Sequence, residues 1–104
     1  MPTTQIVEGD TAKPIRAPLR DEDGDAPLLG ASVLFCMDRQ GGGKHVEFPA
    51  VIEDEAPWVA YWPEAEHVDT PGVYQAQFIV PFGNGRQETF PSGDPLIVVI
   101  RRLL

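Results

Sequence analysis

Nucleophilic hydrolysis needs a hydroxyl or thiol, a base to take its proton and an acid to orient the base. The chain offers His45 and His67, Ser32 and Ser92, and Cys36. Ser92 sits in a Pro/Gly turn, no G-x-S-x-G elbow is present, and triad chemistry is not expected. Zinc favours His and Cys at close spacing, which one cysteine and two distant histidines do not supply. Asp21-x-Asp23-Gly24-Asp25 has the carboxylates of a calcium loop but lacks the D-x-D-x-D-G order and the distal Glu, so it is expected to be a solvated hairpin. Glu64, Glu66, His67 and Asp69 form a second acidic group, either an acid/base pair in a cleft or a solvated loop. Trp58, Tyr61 and Trp62 are either core anchors or, if exposed, a flat platform for sugar rings or a partner protein. Trp58 and Trp62 share a strand face, and that face is expected in the core. No catalytic residue, cofactor or metal is expected, and the chain does not read as an enzyme.

The elements that would position these groups are strands. From Val73, the residues Tyr74, Ala76, Phe78 and Val80 alternate against Gln75, Gln77 and Ile79, the pattern of a half-buried strand. Asn84-Gly85 supplies the two positive φ angles of a type I′ hairpin. Arg86 to Phe90 returns, Pro91 to Pro95 breaks the return, and the apolar run Leu96 to Ile100 is expected as a fully buried closing strand. Upstream, Thr4 to Val7 is a short first strand, and Lys13 to Arg20 turns Ile15, Ala17 and Leu19 to one side. Pro14 and Pro18 put that second strand at a sheet edge. Ala31 to Met37 is apolar on both faces and central. Arg39 to Lys44, carrying Gly41-Gly42-Gly43, is expected as a flexible loop tip. His45 to Ile52 points Val46 and Phe48 inward, with an interruption at Pro49, and Trp58 to Trp62 follows as an aromatic strand.

Together these give about seven or eight short antiparallel strands with turn signals between them and no helix-length pattern, an all-β sandwich. At 104 residues the chain is one domain, 1–104, able to bury roughly two-thirds of its unfolded surface. Residues 1–7 are a possible flexible arm. Eleven prolines and ten glycines exclude long helices, and no apolar run approaches the roughly 20 residues that cross a bilayer, so no membrane is expected. The net charge of −8 repels phosphates and argues against nucleic acid. Cys36, inside an apolar run, is expected as a small buried hydrophobe. The N-terminus lacks the basic and apolar regions of a signal peptide, which points to synthesis in the cytoplasm.

Gly9-Asp10-Thr11, Asp23-Gly24-Asp25, Leu29 to Phe35, Val59-Ala60-Tyr61-Trp62 and Gly72 to Phe78 together resemble a phage family. It is the N-terminal, immunoglobulin-like β-sandwich domain of upper baseplate proteins from tailed phages of Gram-positive hosts. Gly85-Arg86, Thr89-Phe90-Pro91 and Leu96 to Ile100 continue the similarity. Family members commonly carry a glycine where this chain has Glu55-Ala56-Pro57-Trp58, and they continue into further domains beyond the point matching Leu104. The resemblance implies a small virion protein, made in the host cytoplasm, at the tail or baseplate, the neck or the capsid surface.

A non-enzymatic structural or decoration role through protein interfaces is therefore expected, with other virion proteins as partners and multiple copies or a homo-oligomer in a symmetric assembly. The docking devices expected are the N-terminal segment, with Thr4, Gln5, Ile6 and Val7 adding to a neighbour's sheet, and the tail Arg101, Arg102, Leu103 and Leu104. The alternative is a carbohydrate- or receptor-binding module using Trp58, Tyr61 and Trp62.

Overall fold

A computed structural model describes residues 3–21, 24–25, 31–54, 57–82, 85–91 and 93–104. Its strands are β1 (Thr3–Val7), β2 (Ile15–Pro18), β3 (Arg20–Asp21), β4 (Gly24–Asp25), β5 (Val33–Arg39), β6 (His45–Ile52), β7 (Trp58–Tyr61), β8 (Gly72–Pro81), β9 (Gln87–Phe90) and β10 (Leu96–Arg101). One 3-10 turn spans Ala65–His67. The chain is all-β, as expected. Its main sheet runs β1-β10-β8-β5-β6-β7-β2, with β9 also on β8, and is nearly closed into a barrel. The pair β3 and β4 forms a separate small ribbon where a turn was expected; Glu22 and Asp23 lie outside the described residues.

Alternation builds the core. Tyr74, Ala76, Phe78 and Val80 of β8, Val33, Phe35 and Met37 of β5, and Ile15 and Ala17 of β2 are all buried, followed by Leu19 just past β2. β8 is long enough to serve two partners on one edge, pairing Leu96 to Ile100 of β10 through its first half and β9 through its second. Both partners run antiparallel to it, so β9 and β10 are two pieces of one return strand, separated by the Pro91 to Pro95 break. The two-residue turn expected at Asn84-Gly85 is corrected: Phe82 N–H donates to Arg86 O at 2.7 Å and Gly85 N–H to Phe82 O at 3.2 Å, so the hairpin closes around three residues with Gly85 at φ 83°, and Asn84 lies outside the described residues. β6 joins the two halves of the sheet, pairing β5 as far as Ala50 and β7 at Val51 and Ile52.

Several expectations are corrected. β6 runs straight through Pro49, because β7 reaches β6 only at Val51 and Ile52 and has no bond to lose at that position. β10 is not a fully buried closing strand: only Val98 and Ile100 are buried, and β1 lies parallel on its outer side, Thr3 opposite Ile97 and Val7 opposite Arg101. In β7 the faces are reversed, with Val59 and Tyr61 inward and Trp62 half exposed. Both faces of that segment are apolar, and a one-residue shift exchanges them. The register with β2, Ile15 opposite Tyr61 and Ala17 opposite Val59, commits the second set to the core. Ala60 is nonetheless buried, flanked by the longer Arg16 and Val51 side chains. Cys36 is half-buried on the outward face of β5, opposite Glu47 and Gln77.

The entry to β8 is locked by two contacts that alternation does not reveal. Tyr74 O–H donates to Thr70 O at 2.7 Å. Arg39 Nε donates to Pro71 O at 3.0 Å, so the guanidinium stem lies against Gly72, where an added Cβ would stand 2.5 Å from Nε. Tyr74→Phe is expected to lower the unfolding free energy by about 1 kcal/mol, a fall in Tm of about 4–8 °C. Gly72→Ala, with φ at 153°, should cost more, and part of that penalty should vanish in an Arg39→Ala background, as a double-mutant cycle by urea denaturation would show.

Candidate functional site

The two segments expected to dock partners, remote in sequence, are brought side by side. The parallel β1–β10 pairing carries Thr4, Gln5, Ile6 and Val7 along Val98 to Arg101. Ile6 packs onto the core, whereas the Gln5 side chain is exposed and accepts from Arg101 Nη1 at 3.3 Å. Glu8 N–H donates to Arg101 O at 2.8 Å and Leu103 N–H to Glu8 Oε1 at 2.9 Å, which folds the tail against the end of β1. Arg101, Arg102, Leu103 and Leu104 are exposed and, with Val7, line a surface hollow of about 350 Å³. A second hollow of about 260 Å³ separates β1 from the Asp10 to Lys13 loop. The segment expected to add to a neighbour's sheet is thus already, from Thr3 to Val7, a strand of its own.

The aromatic platform divides. Tyr61 is fully buried, its ring stacked on Phe35 at 4.0 Å and 4°. Trp58 is half-buried, with the Arg16 guanidinium carbon 4.7 Å from its ring centroid, and Arg16 donates through Nε and Nη2 to Glu53 Oε1, both at 2.8 Å. Trp62 is 50% exposed and Val51 55% exposed. What remains outside is Trp62 and one edge of Trp58, not three coplanar rings.

The acidic group divides as well. One ligand atom from each of Glu64, Glu66 and His67 falls within 4.8 Å of the others. Asp69 turns instead to Lys44 Nζ at 3.1 Å, and hydrogen bonds from Thr70 and then Lys44 hold its carboxyl below the usual range. His67 Nδ1 shares a 2.6 Å hydrogen bond with the Tyr61 hydroxyl, so the buried tyrosine fixes the ring from below. Both glutamates stand in solvent. His45 lies elsewhere, between Asp38 at Nδ1 and Glu47 at Nε2, and those bonds raise its pKa, Asp38 more than Glu47. Ser32 is exposed just before β5 and Ser92 lies outside the described residues. The Asp25 carboxylate is held by Arg20 at 2.9 Å.

Sequence reasoning missed the Tyr74 hydroxyl and the Arg39 clamp. The signal was there: a glycine two residues before a tyrosine at the start of a strand admits a close neighbour and places the ring at the corner. No family model, curated protein or solved structure matches this chain.

Burial keeps the Tyr61 phenol protonated, with its pKa pushed up to about 12, and burial also raises that of Tyr74. Because the fold favours the protonated form, Tyr61's contribution is complete below the unfolded value of about 10 and is lost as the pH climbs towards about 12. A tyrosinate absorbance titration should therefore show no step near pH 10, and the late step should coincide with loss of β circular dichroism. Cys36, its thiol pushed up by burial and then by Glu47 and Asp38, should alkylate more slowly than free cysteine near neutral pH. Glu47→Gln should speed that reaction.

Proposed function

We propose that this chain is a non-enzymatic interaction module with an immunoglobulin-like fold, acting as a structural or decoration protein of a tailed-phage virion. The observation that carries this reading is the edge at which the first and last strands lie together. It offers backbone groups, a neutral strand and a tail of two arginines and two leucines at one edge of the sheet. Three features support the immunoglobulin-like assignment. β1 runs parallel on β10, and β5 and β8 pair centrally while β7 and β2 pair apart from them. The Tyr74 hydroxyl reaches back to the Thr70 carbonyl in the manner of a tyrosine corner. Ala76 stands two residues on, where antibody domains carry the second cysteine of their disulfide, and Phe35 fills the centre where they place tryptophan.

The chain's resemblance to baseplate domains directs the module towards a particle, where symmetric, repeated attachment is the rule. Its acidic surface favours protein partners with basic faces over nucleic acid. A carbohydrate- or receptor-binding reading retains one specific support, the half-exposed Trp62 ring. In that reading Trp62 stacks on a sugar and Tyr61 contributes only by holding the strand.

Quantitative mass spectrometry of purified tailed particles should find the chain at a fixed ratio to the major capsid or tail-tube protein. A capsid-like copy number would mean decoration, and a ring-sized number would mean neck or baseplate. Absence from particles would overturn the virion reading, and tryptophan fluorescence that shifts on adding glycans would favour the binding module.

A further inference from the structure

We propose that the outer edge of β1 docks a second copy of this chain, antiparallel about a twofold axis at Gln5, making one sheet continuous across two molecules. This names one partner of the interaction module above and rests on that reading for the use of strand edges, though not on the particle.

The phase of the β1–β10 ladder sets the geometry. Glu8 N–H donates to Arg101 O at 2.8 Å, and Val7 stands opposite Arg101. In a parallel ladder one residue aims both backbone groups at a given neighbour and the next aims both the other way. Thr4, Ile6 and Glu8 therefore face β10, while Thr3, Gln5 and Val7 turn their N–H and C=O groups outward. The Val7 carbonyl accordingly accepts from Asp10 N–H at 3.0 Å, and its second lone pair stays available.

Three considerations select a second copy as the occupant. Natural edges are blocked by proline or charge, and β2 carries Pro18 and Arg16 just after Pro14, while β9 carries Glu88. β1 carries no charge, proline or glycine from Thr3 to Val7. Its outward set is also symmetric about Gln5, so a twofold axis matches Thr3 with Val7 and Gln5 with its own equivalent, each pair exchanging two bonds. Finally, a chain of net charge −8 repels its copy, but the strand itself is neutral, the Glu8 pair falls at opposite ends, Arg101 stands beside each Gln5, and the Asp10 and Lys13 that line the neighbouring hollow are of opposite sign.

A five-residue edge alone falls short of the roughly 1,200 Å² that a specific interface buries. Leu103 and Leu104, exposed beside Val7, add apolar area at each end of the joint. A weak, concentration-dependent dimer is the expected product.

Sedimentation equilibrium of the purified chain should show a monomer–dimer equilibrium in the micromolar range or above. Gln5→Pro removes an outward N–H and no bond to β10. It should weaken self-association by about tenfold or more, equivalent to about 1.4 kcal/mol, with circular dichroism unchanged. Gln5→Glu pairs with Arg101 in its own chain but opposes a second carboxylate across the axis, so it should weaken the dimer at low salt and recover as salt is added. A chain that stays monomeric, or a dimer indifferent to both substitutions, would overturn the proposal. Particle incorporation is read separately by stoichiometry, so a monomeric chain found in particles would remove this interface alone.

Discussion

The stack of Phe35 on Tyr61 is the contact on which the rest of the structure depends. The rings lie 4.0 Å apart and within 4° of parallel, joining β5 to β7 across the interior. Phe78 meets Phe35 edge-on at 5.2 Å, and Phe48 approaches Tyr61 at 6.2 Å. Such pairs contribute about 0.5–1.5 kcal/mol each beyond the area they bury. Their larger effect is on register. Once Tyr61 points inward, Trp58 and Trp62 must point out, and the Tyr61 hydroxyl must find a partner at the rim. His67 is that partner, which fixes the 3-10 turn and thereby the surface presented by Glu64 and Glu66.

The sheet edges follow a different logic from the core. The β2 edge is blunted by its prolines and by Arg16, which is occupied with Trp58 and Glu53. The β1 strand carries neither, and the Asp10 to Lys13 loop faces it across a hollow. Among the described residues several surface charges pair with one another: Arg16 with Glu53, Arg20 with Asp25, Lys44 with Asp69 and His45 with Asp38 and Glu47. Exposed pairs of this kind add little stability.

The faces of β2 and β8 were legible in the sequence because only one alternating set in each is large and apolar, whereas β5 reads as apolar on both faces and only its pairing partners commit Val33, Phe35 and Met37 to the core. β7 was not legible either, since Trp58-Val59-Ala60-Tyr61-Trp62 is apolar whichever way it turns and only the pairing partners decide. The run Leu96 to Ile100 was recognisable as a strand, but its neighbours were not. A parallel pairing between residues near opposite ends of the chain leaves no turn and no local period to read. For the same reason the two docking segments were each suspected, while their adjacency, which makes a site of them, became visible only in three dimensions. Arg39 looked like part of a glycine-rich loop, and its role emerged only through the space that Gly72 leaves beside it.

The parallel seating of β1 on β10 also has a mechanical meaning. Tension applied to the two ends of the chain draws Thr3 and Arg101 in opposite directions along the strand axis. The bonds between the two strands are then loaded together in shear instead of opening one after another like a zip. A protein held by its ends would bear force through this pair first, with the core strands behind it shielded until the pair gives way.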